Sequence, residues 1–362
     1  MSNKKLKYVS RNKIKSLEKN HEYILLLGER SNGKSYAVKS HAVMRAIETG
    51  GEEEFIYLRR FELDTKDSLC VGYFADLDVY AMTNGMYDCI DVYRKNIYLC
   101  NMDPETGKIS GRKRIGYVHA LNLHERYKSI MFPKVERILY EEFISADGKY
   151  IYNEADTLEQ YTSTIFRNNR KGHVFLIGNK ISRICPYFRK WELKGILKQK
   201  LGTVDEYTYK NDNGDDTRLC VYMTDTLNYN SGMFFGNVAK QITQGGYEVL
   251  EQPHLPEPIG RYKKIYQCVV KHEDFYFLCS FLKHKTRSNV FTWYVEPKTK
   301  PYIKKGTRVI SSDYSPSILW TASFNPLTKN EQFIFSFLDD KKVCFADNLT
   351  GTEFNNIINN YL

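Results

Sequence analysis

Short apolar runs alternate with longer stretches of mixed polarity over the first half of the chain. These runs are rich in β-branched, aliphatic and aromatic residues, which is typical of buried strands. Five of them predict strands: Tyr23–Leu27, Phe55–Leu58, Asn96–Cys100, Ile138–Tyr140 and His173–Ile177. The stretches between several of the runs have a helical pattern. The alternation predicts an α/β fold in which strands and helices follow one another along the chain.

The third run belongs to a predicted hairpin, because Asn96–Cys100 and Arg114–Val118 flank the turn-rich segment Asp103–Gly107. Farther on, Asp205–Asp216 is polar, acidic and typical of a linker. Short alternating runs between Ile265 and Ile310 then predict a second, β-rich domain. We therefore expect an N-terminal domain over residues 1–195, a linker region over 196–255 and a C-terminal domain over 256–362.

The charge balance favours a polyanionic partner, since 53 Lys and Arg residues oppose 43 Asp and Glu residues and leave a net charge of +10. Basic residues dominate positions 1–20, which predicts a basic arm or a basic helix. The eight cysteines form no CxxC pair and show no spacing of zinc ligands. Reduced thiols in a cytosolic protein are the expectation. No signal peptide is evident, and the apolar runs are shorter than the ~20 residues that span a bilayer, so we expect a soluble protein.

The sharpest motif is Gly28-Glu-Arg-Ser-Asn-Gly-Lys-Ser35, which fits the phosphate-binding pattern G-x-x-x-x-G-K-[ST]. A predicted strand leads into it. Apolar residues then recur at helical spacing until Gly50 and Gly51, which are expected to end the helix. A loop between strand and helix lets backbone N–H groups surround phosphates at the helix N-terminus. We predict an ATP site whose contacts are Gly28, Arg30, Ser31, Asn32, Gly33, Lys34, Ser35 and Tyr36.

A phosphate loop also requires an acid for Mg²⁺ and a group that orients the attacking water. Glu141 and Glu142 follow the predicted strand Val135–Tyr140, at the end where α/β sheets bind ligands. We assign Glu141 to the metal together with Ser35, and Glu142 to the water. The alternative is a pair of solvated glutamates with no role in catalysis.

Further candidates lie downstream. Asp156–Glu159 is a predicted capping box that opens a helix reaching Arg167. Arg167 is a candidate arginine finger for a neighbouring subunit's nucleotide, a role for which Arg60, Arg170 and Lys171 compete. Asn179, at the tip of the strand His173–Ile177, is either a group that senses the γ-phosphate or the attacking water, or a simple turn residue.

In order and spacing, these motifs resemble the DNA-packaging (encapsidation) ATPase of small protein-primed tailed bacteriophages. The resemblance is dense over about residues 22–190 and weak beyond. The segments that carry it are Gly28–Tyr36, Phe55–Arg60, Ile138–Ile144, Ile165–Asn168 and Cys185–Phe188.

The resemblance implies a phosphate-loop ATPase of the additional-strand, catalytic-glutamate branch. Such a protein is expected to form a homomeric, pentameric ring and to drive double-stranded DNA through the portal into a preformed capsid. A packaging RNA is a further candidate partner. The expected location is the host cytoplasm, with transient residence at the portal vertex of the procapsid.

The resemblance also implies roles for single residues. Lys34 and Ser35 match the phosphate-loop pair, Glu142 the catalytic glutamate, Arg167 the trans-acting arginine and Asn179 the sensor-like polar residue. Glu141 matches the metal acid, which is commonly Asp in that family, so the glutamate is a departure.

The C-terminal part is similar to a degenerate ribonuclease-H-like domain. Its predicted strands contain no carboxylates, and Asp274 sits at a turn, so we expect a domain that does not cleave DNA. Basic runs with interspersed aromatic residues suit phosphate contact, and we assign DNA binding to Lys283, Lys285 and Arg287. The alternative is a solvated basic face.

Three classes of function remain open at this stage. A ring-forming DNA translocase accounts for the phosphate loop, the basic charge and the resemblance together. A helicase or recombinase-like ATPase that acts on single-stranded nucleic acid would share the ATP site. A nucleic-acid-binding structural protein with a vestigial loop is disfavoured by the presence of Lys34, Ser35 and Glu142.

Overall fold

The computed structural model describes residues 8–145, 149–167, 172–179, 185–196, 198–210, 214–225, 251–272, 275–298, 303–311, 315 and 317–361. The chain divides into two compact units. The first comprises the described residues from 8 to 145 and from 150 to 225, and the second comprises Lys149 and those from 251 to 361. Within these ranges, no helix combines the length and the apolar character required to cross a membrane.

The helices and strands of the first unit alternate along much of the chain. In chain order they are α1 (Arg11–Glu18), β1 (Tyr23–Gly28), α2 (Lys34–Glu48), β2 (Glu54–Arg59), α3 (Asp67–Phe74), α4 (Val79–Met82), β3 (Cys89–Tyr93), β4 (Asn96–Met102), β5 (Ile109–Ala120), β6 (Val135–Glu141), α5 (Glu154–Ile165), β7 (His173–Asn179), α6 (Pro186–Lys190), β8 (Val204–Lys210) and β9 (Asp216–Met223). Short 3₁₀ helices cover Glu62–Thr65 and Leu121–Tyr127.

These strands form one nine-stranded sheet in the order β3-β4-β5-β2-β6-β7-β1-β9-β8. Neighbours from β5 to β9 are parallel, whereas β3–β4, β4–β5 and β8–β9 are antiparallel. The predicted α/β class and the β4–β5 hairpin are confirmed. Strand β7 lies between β1 and β6, so the ends of all three strands meet at one edge of the sheet.

The central strands are apolar along their whole length because both faces of the sheet are covered. Successive side chains of a strand point to opposite faces. Ile24 and Leu26 therefore join the core cluster that contains α2 residues, whereas Leu25 and Leu27 join the cluster that contains α5 residues. The result is a three-layer arrangement with β1 at its centre.

The sequence prediction of a linker over residues 196–255 is wrong for its first part. Strand β9 pairs in parallel with β1, with Tyr23 opposite Leu219, and β8 completes that edge of the sheet. The polar appearance of this segment arises because β8 is an edge strand with alternating exposed positions. Residues 226–250 of the predicted linker lie outside the described residues.

The start of α5 also differs from the prediction. The helix begins at Glu154, after Asn153 in the left-handed conformation, and no side chain caps its N-terminus. Asp156 lies within the first turn and pairs with Lys190 instead. The helix ends at Ile165, two residues before Arg167.

The second unit contains a smaller mixed sheet. Its elements are β10 (Tyr262–His272), β11 (Phe275–His284), β12 (Phe291–Pro297), β13 (Arg308–Ser311), β14 (Trp320–Thr321), α7 (Lys329–Asp339), β15 (Val343–Phe345) and α8 (Asn348–Tyr361). The sheet order is β14-β13-β10-β11-β12-β15. Strands β10 to β12 form an antiparallel meander, and β13, β14 and β15 add in parallel to their neighbours.

The core of this unit depends on the two helices as well as on the strands. Trp293 is fully buried, and its indole N–H donates to the carbonyl of Ile334 in α7 at 3.1 Å. Phe354 and Ile357 of α8 belong to the same core cluster. The predicted strands are present, but the description of this part as β-rich omitted the C-terminal helices.

Candidate nucleotide site

The phosphate loop connects the end of β1 to the start of α2, as the sequence predicts. Gly33 adopts the left-handed conformation with φ +83°, which residues with a Cβ atom rarely adopt. At Gly28 the requirement is space, because a Cβ there would lie 1.8 Å from the hydroxyl oxygen of Thr224. Thr224 follows β9 and hydrogen-bonds the Asn32 side chain. Gly28 lets the loop lie tightly against the end of β9, and Gly33 supplies the left-handed residue before α2.

Lys34 projects into the site from the first position of α2. It is only 5% exposed. Its Nζ donates to the carbonyl oxygen of Glu29 at 2.6 Å and to Oδ1 of Asn179 at 2.9 Å, both neutral acceptors. Burial lowers the pKa of Lys34 to about 8, against the opposing charges of Glu141 and Glu29. Neutral oxygens do not neutralise the charge of a buried ammonium group, so the group favours the binding of an anion.

Glu141 ends β6 and faces the loop from the neighbouring part of the sheet. Tyr73 in α3 donates its hydroxyl to Oε1 of Glu141 at 2.7 Å. Burial raises the pKa of Glu141, and hydrogen bonds from Tyr73 and Ser35 and the charge of Lys34 oppose that rise. The hydroxyl of Ser35 and the carboxylate of Glu141 are oxygen ligands of the type that Mg²⁺ prefers. The residues present therefore fit the predicted metal site.

Glu142 directly follows β6 and is placed differently from Glu141. Its backbone is left-handed, with φ 56°, and its side chain is 62% exposed. Oε2 accepts a hydrogen bond from Nη2 of Arg59, at the end of β2, at 2.7 Å. The amide N–H donates to the carbonyl of Ile177 in β7 at 2.8 Å. The carboxylate thus borders the site while held by an arginine of the same chain.

A cavity of about 370 Å³ joins these groups. Every predicted nucleotide contact except Gly28 lines it, together with Glu141, Glu142 and Asn179. The sequence analysis missed Asp76, which also lines the cavity and pairs with Lys39 at 2.5 Å, and it missed Tyr73. Neither residue belongs to a motif, because the end of α3, which carries Tyr73, and the turn after it, which carries Asp76, are brought to the loop by tertiary packing alone.

The four candidate arginine-finger residues separate in the structure. Arg167 lies two residues beyond α5, half-buried, and does not line the cavity of its own chain. Arg60 is buried and pairs with Glu154 at 2.7 Å, which does not fit a finger that reaches a neighbouring subunit. Arg170 and Lys171 lie outside the described residues.

The residues assigned to DNA binding lie at one end of the β11–β12 pair. Lys283 is in β11, opposite Lys263, while Lys285 and Arg287 are exposed in the following connection. Arg287 pairs with Glu257 at 3.0 Å. Asp274 lies outside the described residues. Across the described part of the chain, no group of three or more His, Cys, Asp or Glu side chains could hold a metal ion.

Comparisons with known proteins relate these features to phage proteins. The DNA packaging protein of Bacillus phage B103 is 32% identical over 171 residues, which is 45% of this chain and 46% of that protein. The DNA packaging protein of Bacillus phage phi29 is 28% identical over 183 residues, 50% of this chain and 49% of that protein. The chain therefore spans about half the length of the curated relatives it matches.

A chain of the bacteriophage phi29 viral genome packaging motor assembly has a similar fold. The TM-score is 0.51 at 18% sequence identity, and the match covers 98% of this chain and 100% of that one. The model of the podovirus DNA encapsidation protein (Gp16) family matches residues 3–210. Because that match takes in more than half of the 362 residues, the chain belongs to the podovirus DNA encapsidation protein (Gp16) family.

Proposed function

We propose that this protein hydrolyses ATP with Mg²⁺ and that a homomeric, pentameric ring of it drives double-stranded DNA through the portal into a procapsid. The observation that carries the proposal is the convergence of Lys34, Glu141, Glu142 and Asn179 on one cavity at the carboxyl ends of β1, β6 and β7. The position of β7 between the strands that carry the loop and the acids supports the additional-strand assignment.

Nucleotide binding rests on the start of α2. The backbone N–H groups of the first helical turn attract anions, and Lys34 adds a positive charge beside them. When triphosphate oxygens approach, Nζ of Lys34 can exchange its neutral partners, the carbonyl of Glu29 and Oδ1 of Asn179, for charged ones. Asn179 is then free to contact the γ-phosphate or the attacking water.

Ser35 and Glu141 are the residues that would hold Mg²⁺. Bound Mg²⁺ supplies charge neutralisation to the phosphoryl group that is transferred. Tyr73 keeps the Glu141 carboxylate oriented, because its hydroxyl donates to Oε1.

Glu142 supplies the acceptor that orients water and takes up its proton. In the present arrangement its carboxylate is bound to Arg59, so the side chain must leave Arg59 before it can act on a water beside the γ-phosphate. Since the side chain is exposed, that rotation displaces no core residue.

Assembly into a ring is proposed through Arg167. An arginine finger in trans raises the rate of phosphoryl transfer by about 10³–10⁵-fold. Arg167→Ala subunits mixed with Glu142→Gln subunits should regain part of the activity, because some interfaces then combine an intact Glu142 with an intact Arg167. If mixed rings form and remain as inactive as each variant alone, Arg167 does not act in trans.

The second unit is proposed as a ribonuclease-H-like domain that contacts DNA or the packaging machinery without cutting. The β10–β11–β12 meander with β13 and β14 added in parallel supports that likeness. Phosphate contacts release counterions, so the slope of log affinity against log salt should be about −0.9 per phosphate neutralised. Alanine at Lys283, Lys285 and Arg287 should flatten the slope; an unchanged slope would place the DNA contacts elsewhere.

The decisive test is ATPase activity with no DNA, with single-stranded DNA and with double-stranded DNA. Stimulation by double-stranded DNA supports the packaging motor. Stimulation by single-stranded DNA alone would favour a helicase or recombinase-like enzyme, and no hydrolysis under any condition would favour a structural protein with a vestigial loop. Co-sedimentation with procapsids, with and without packaging RNA, tests binding at the portal vertex.

A further inference from the structure

A buried arginine lies directly behind the backbone that carries Glu142. Arg60 follows β2, and its guanidinium donates to two consecutive carbonyl oxygens, that of Glu142 at 3.1 Å and that of Phe143 at 2.6 Å. Its third donor, Nε, bonds Oε2 of Glu154 at 2.7 Å. All three contacts are made by one planar group, so Arg60 fixes the Glu142 and Phe143 carbonyls relative to α5.

Glu154 is the acceptor that holds this guanidinium in place. Its side chain is fully buried. Oε1 accepts hydrogen bonds from the hydroxyls of Tyr140 at 2.7 Å and Tyr187 at 2.8 Å, and Oε2 also accepts from the backbone N–H of Ile151 at 2.9 Å. A carboxylate whose two oxygens both accept hydrogen bonds in this way has one fixed orientation in the core.

The Arg60–Glu154 pair contacts a stretch of backbone that is strained at Glu142. Glu142 has φ 56°, a conformation that disfavours residues with a Cβ atom and persists only where the surroundings impose it. Its N–H is held by the carbonyl of Ile177, and its carbonyl is held by Arg60. The direction in which the Glu142 side chain leaves the backbone, toward the cavity, follows from that conformation.

We propose that Arg60 and Glu154 are positioning residues, which hold the Glu142 backbone left-handed so that its carboxylate reaches the nucleotide site. The proposal rests on the proposed function, since it gives the pair a role in ATP hydrolysis. A purely structural pair would affect folding stability and have no selective effect on Glu142.

The chain offers a matched control in a second buried pair. Arg137 in β6 binds Glu18 of α1 at 2.5 Å. Arg137 is at least as buried as Arg60, and Glu18 is 8% exposed against 1% for Glu154. Arg137 lies toward the other end of β6, four residues before Glu141, and does not line the cavity. Loss of one partner in either pair leaves a buried charge less well compensated, but only the Arg60–Glu154 pair touches the Glu142 backbone.

The experiment compares Arg60→Lys and Glu154→Gln with Arg137→Lys and Glu18→Gln in the full chain. Turnover at saturating ATP, the Kd of a fluorescent ATP analogue, the melting temperature and hydrogen exchange of the segment 141–145 are measured for each. We expect Arg60→Lys and Glu154→Gln to lower turnover by about 10²-fold, the cost of misplacing a reacting group, with the Kd near that of the wild type. Amide exchange at 141–145 should accelerate. The control variants should lower the melting temperature while turnover and this exchange stay close to wild type.

Equal losses of turnover in the test and control pairs, or unaltered exchange at 141–145 in Arg60→Lys and Glu154→Gln, would overturn the proposal. If Arg60→Lys does not fold, Glu154→Gln decides, because it keeps the size and an acceptor oxygen. If the wild-type protein hydrolyses no ATP, the proposed function fails, while hydrogen exchange still shows whether the pair holds the Glu142 backbone.

Discussion

The charged residues near the two ends of strand β6 differ in how far protein partners compensate their charge. Near its start, Arg137 binds Glu18 and Glu53, each at 2.5 Å. Burial alone would raise the pKa of Glu18, but the hydrogen bond with His41 and the charge of Arg137 outweigh it and hold the pKa at about 2. At the other end, burial prevails and the pKa of Glu141 is raised.

The difference shows how one strand serves both stability and chemistry. Protein partners neutralise the charges at the start of β6, and the resulting network ties α1 and the segment before β2 to the sheet. At the end of β6, Glu141 is hydrogen-bonded by neutral hydroxyls, and nearby Lys34 contacts neutral oxygens. Groups whose charge is left incompletely compensated are suited to bind a metal ion and a polyanion.

The largest expected effect comes from Glu142→Gln, which keeps the size of the side chain and removes the proton acceptor. Turnover of ATP should fall by about 10²–10⁴-fold. The Kd of an ATP analogue should stay near wild type, because Glu142 does not hold the phosphates. Glu53→Gln is the control and should retain turnover, because Glu53 precedes β2 and pairs with Arg137 near the opposite end of β6. Wild-type turnover in Glu142→Gln would remove its assignment as the water-orienting residue.

Near the start of β6, Glu18→Gln should lower the free energy of unfolding by about 1.5–3 kcal/mol, since it removes one of the two carboxylates that bind Arg137 and leaves the other, Glu53, in place. Chemical denaturation measures the loss. The pKa of Glu18 is lower in the folded protein than its usual value of 4.5, so its stabilisation is present above pH 4.5 and disappears as pH falls toward 2. The variant should lack that part of the acid dependence. A variant as stable as wild type at pH 7 would contradict the network's role.

The site was predictable where its residues are contiguous. Gly28 to Tyr36 form a local motif between a strand and a helix, and Glu141 and Glu142 end an apolar strand, so both appear in the sequence pattern. Tyr73 and Asp76 follow no motif and reach the site through the packing of α3. Glu154 was missed because its carboxylate is satisfied by side chains distant in sequence, which no local pattern records.

Buried strands were predicted correctly from the sequence, whereas an edge strand and the start of one helix were not. Buried parallel strands such as β1 read as continuous apolar runs, whereas the exposed edge strand β8 reads as a polar linker. The start of α5 was misplaced because Asn153 begins it with a left-handed backbone and no side-chain cap, while Asp156 offered a false signal. Edge position and backbone conformation depend on tertiary context, which explains both errors.

Nucleotide affinity should depend on pH through Lys34. Its pKa in the free protein is about 8, lowered by burial, and triphosphate favours the charged form, so binding takes up a proton above pH 8. The Kd should therefore rise about tenfold per pH unit above pH 8, until the pKa of the complex is reached. Fluorescence titration from pH 7 to alkaline pH measures it, with Lys34→Arg as the control whose charge does not titrate. A wild-type Kd independent of pH would show that Lys34 does not pair with the phosphates.

The smallest expected effect is that of Tyr73→Phe, which removes the hydroxyl bonded to Glu141 and leaves the ring that stacks on Tyr57 at 4.3 Å. The pKa of Glu141 should rise further, because that hydrogen bond favours the ionised form. Since partners that orient a metal ligand contribute at least about tenfold to metal affinity, the Mg²⁺ concentration for half-maximal turnover should increase about tenfold. Direct titration with Mn²⁺, followed by paramagnetic resonance, should show the same weakening without reference to activity.

Tyr23→Phe is the matched control, because it removes a buried hydroxyl bonded to Thr162 at 3.0 Å at the opposite end of β1. Unchanged Mn²⁺ affinity in Tyr73→Phe would mean that Glu141 keeps its orientation without the hydroxyl, and the contrast between the two ends of the sheet would then rest on burial alone.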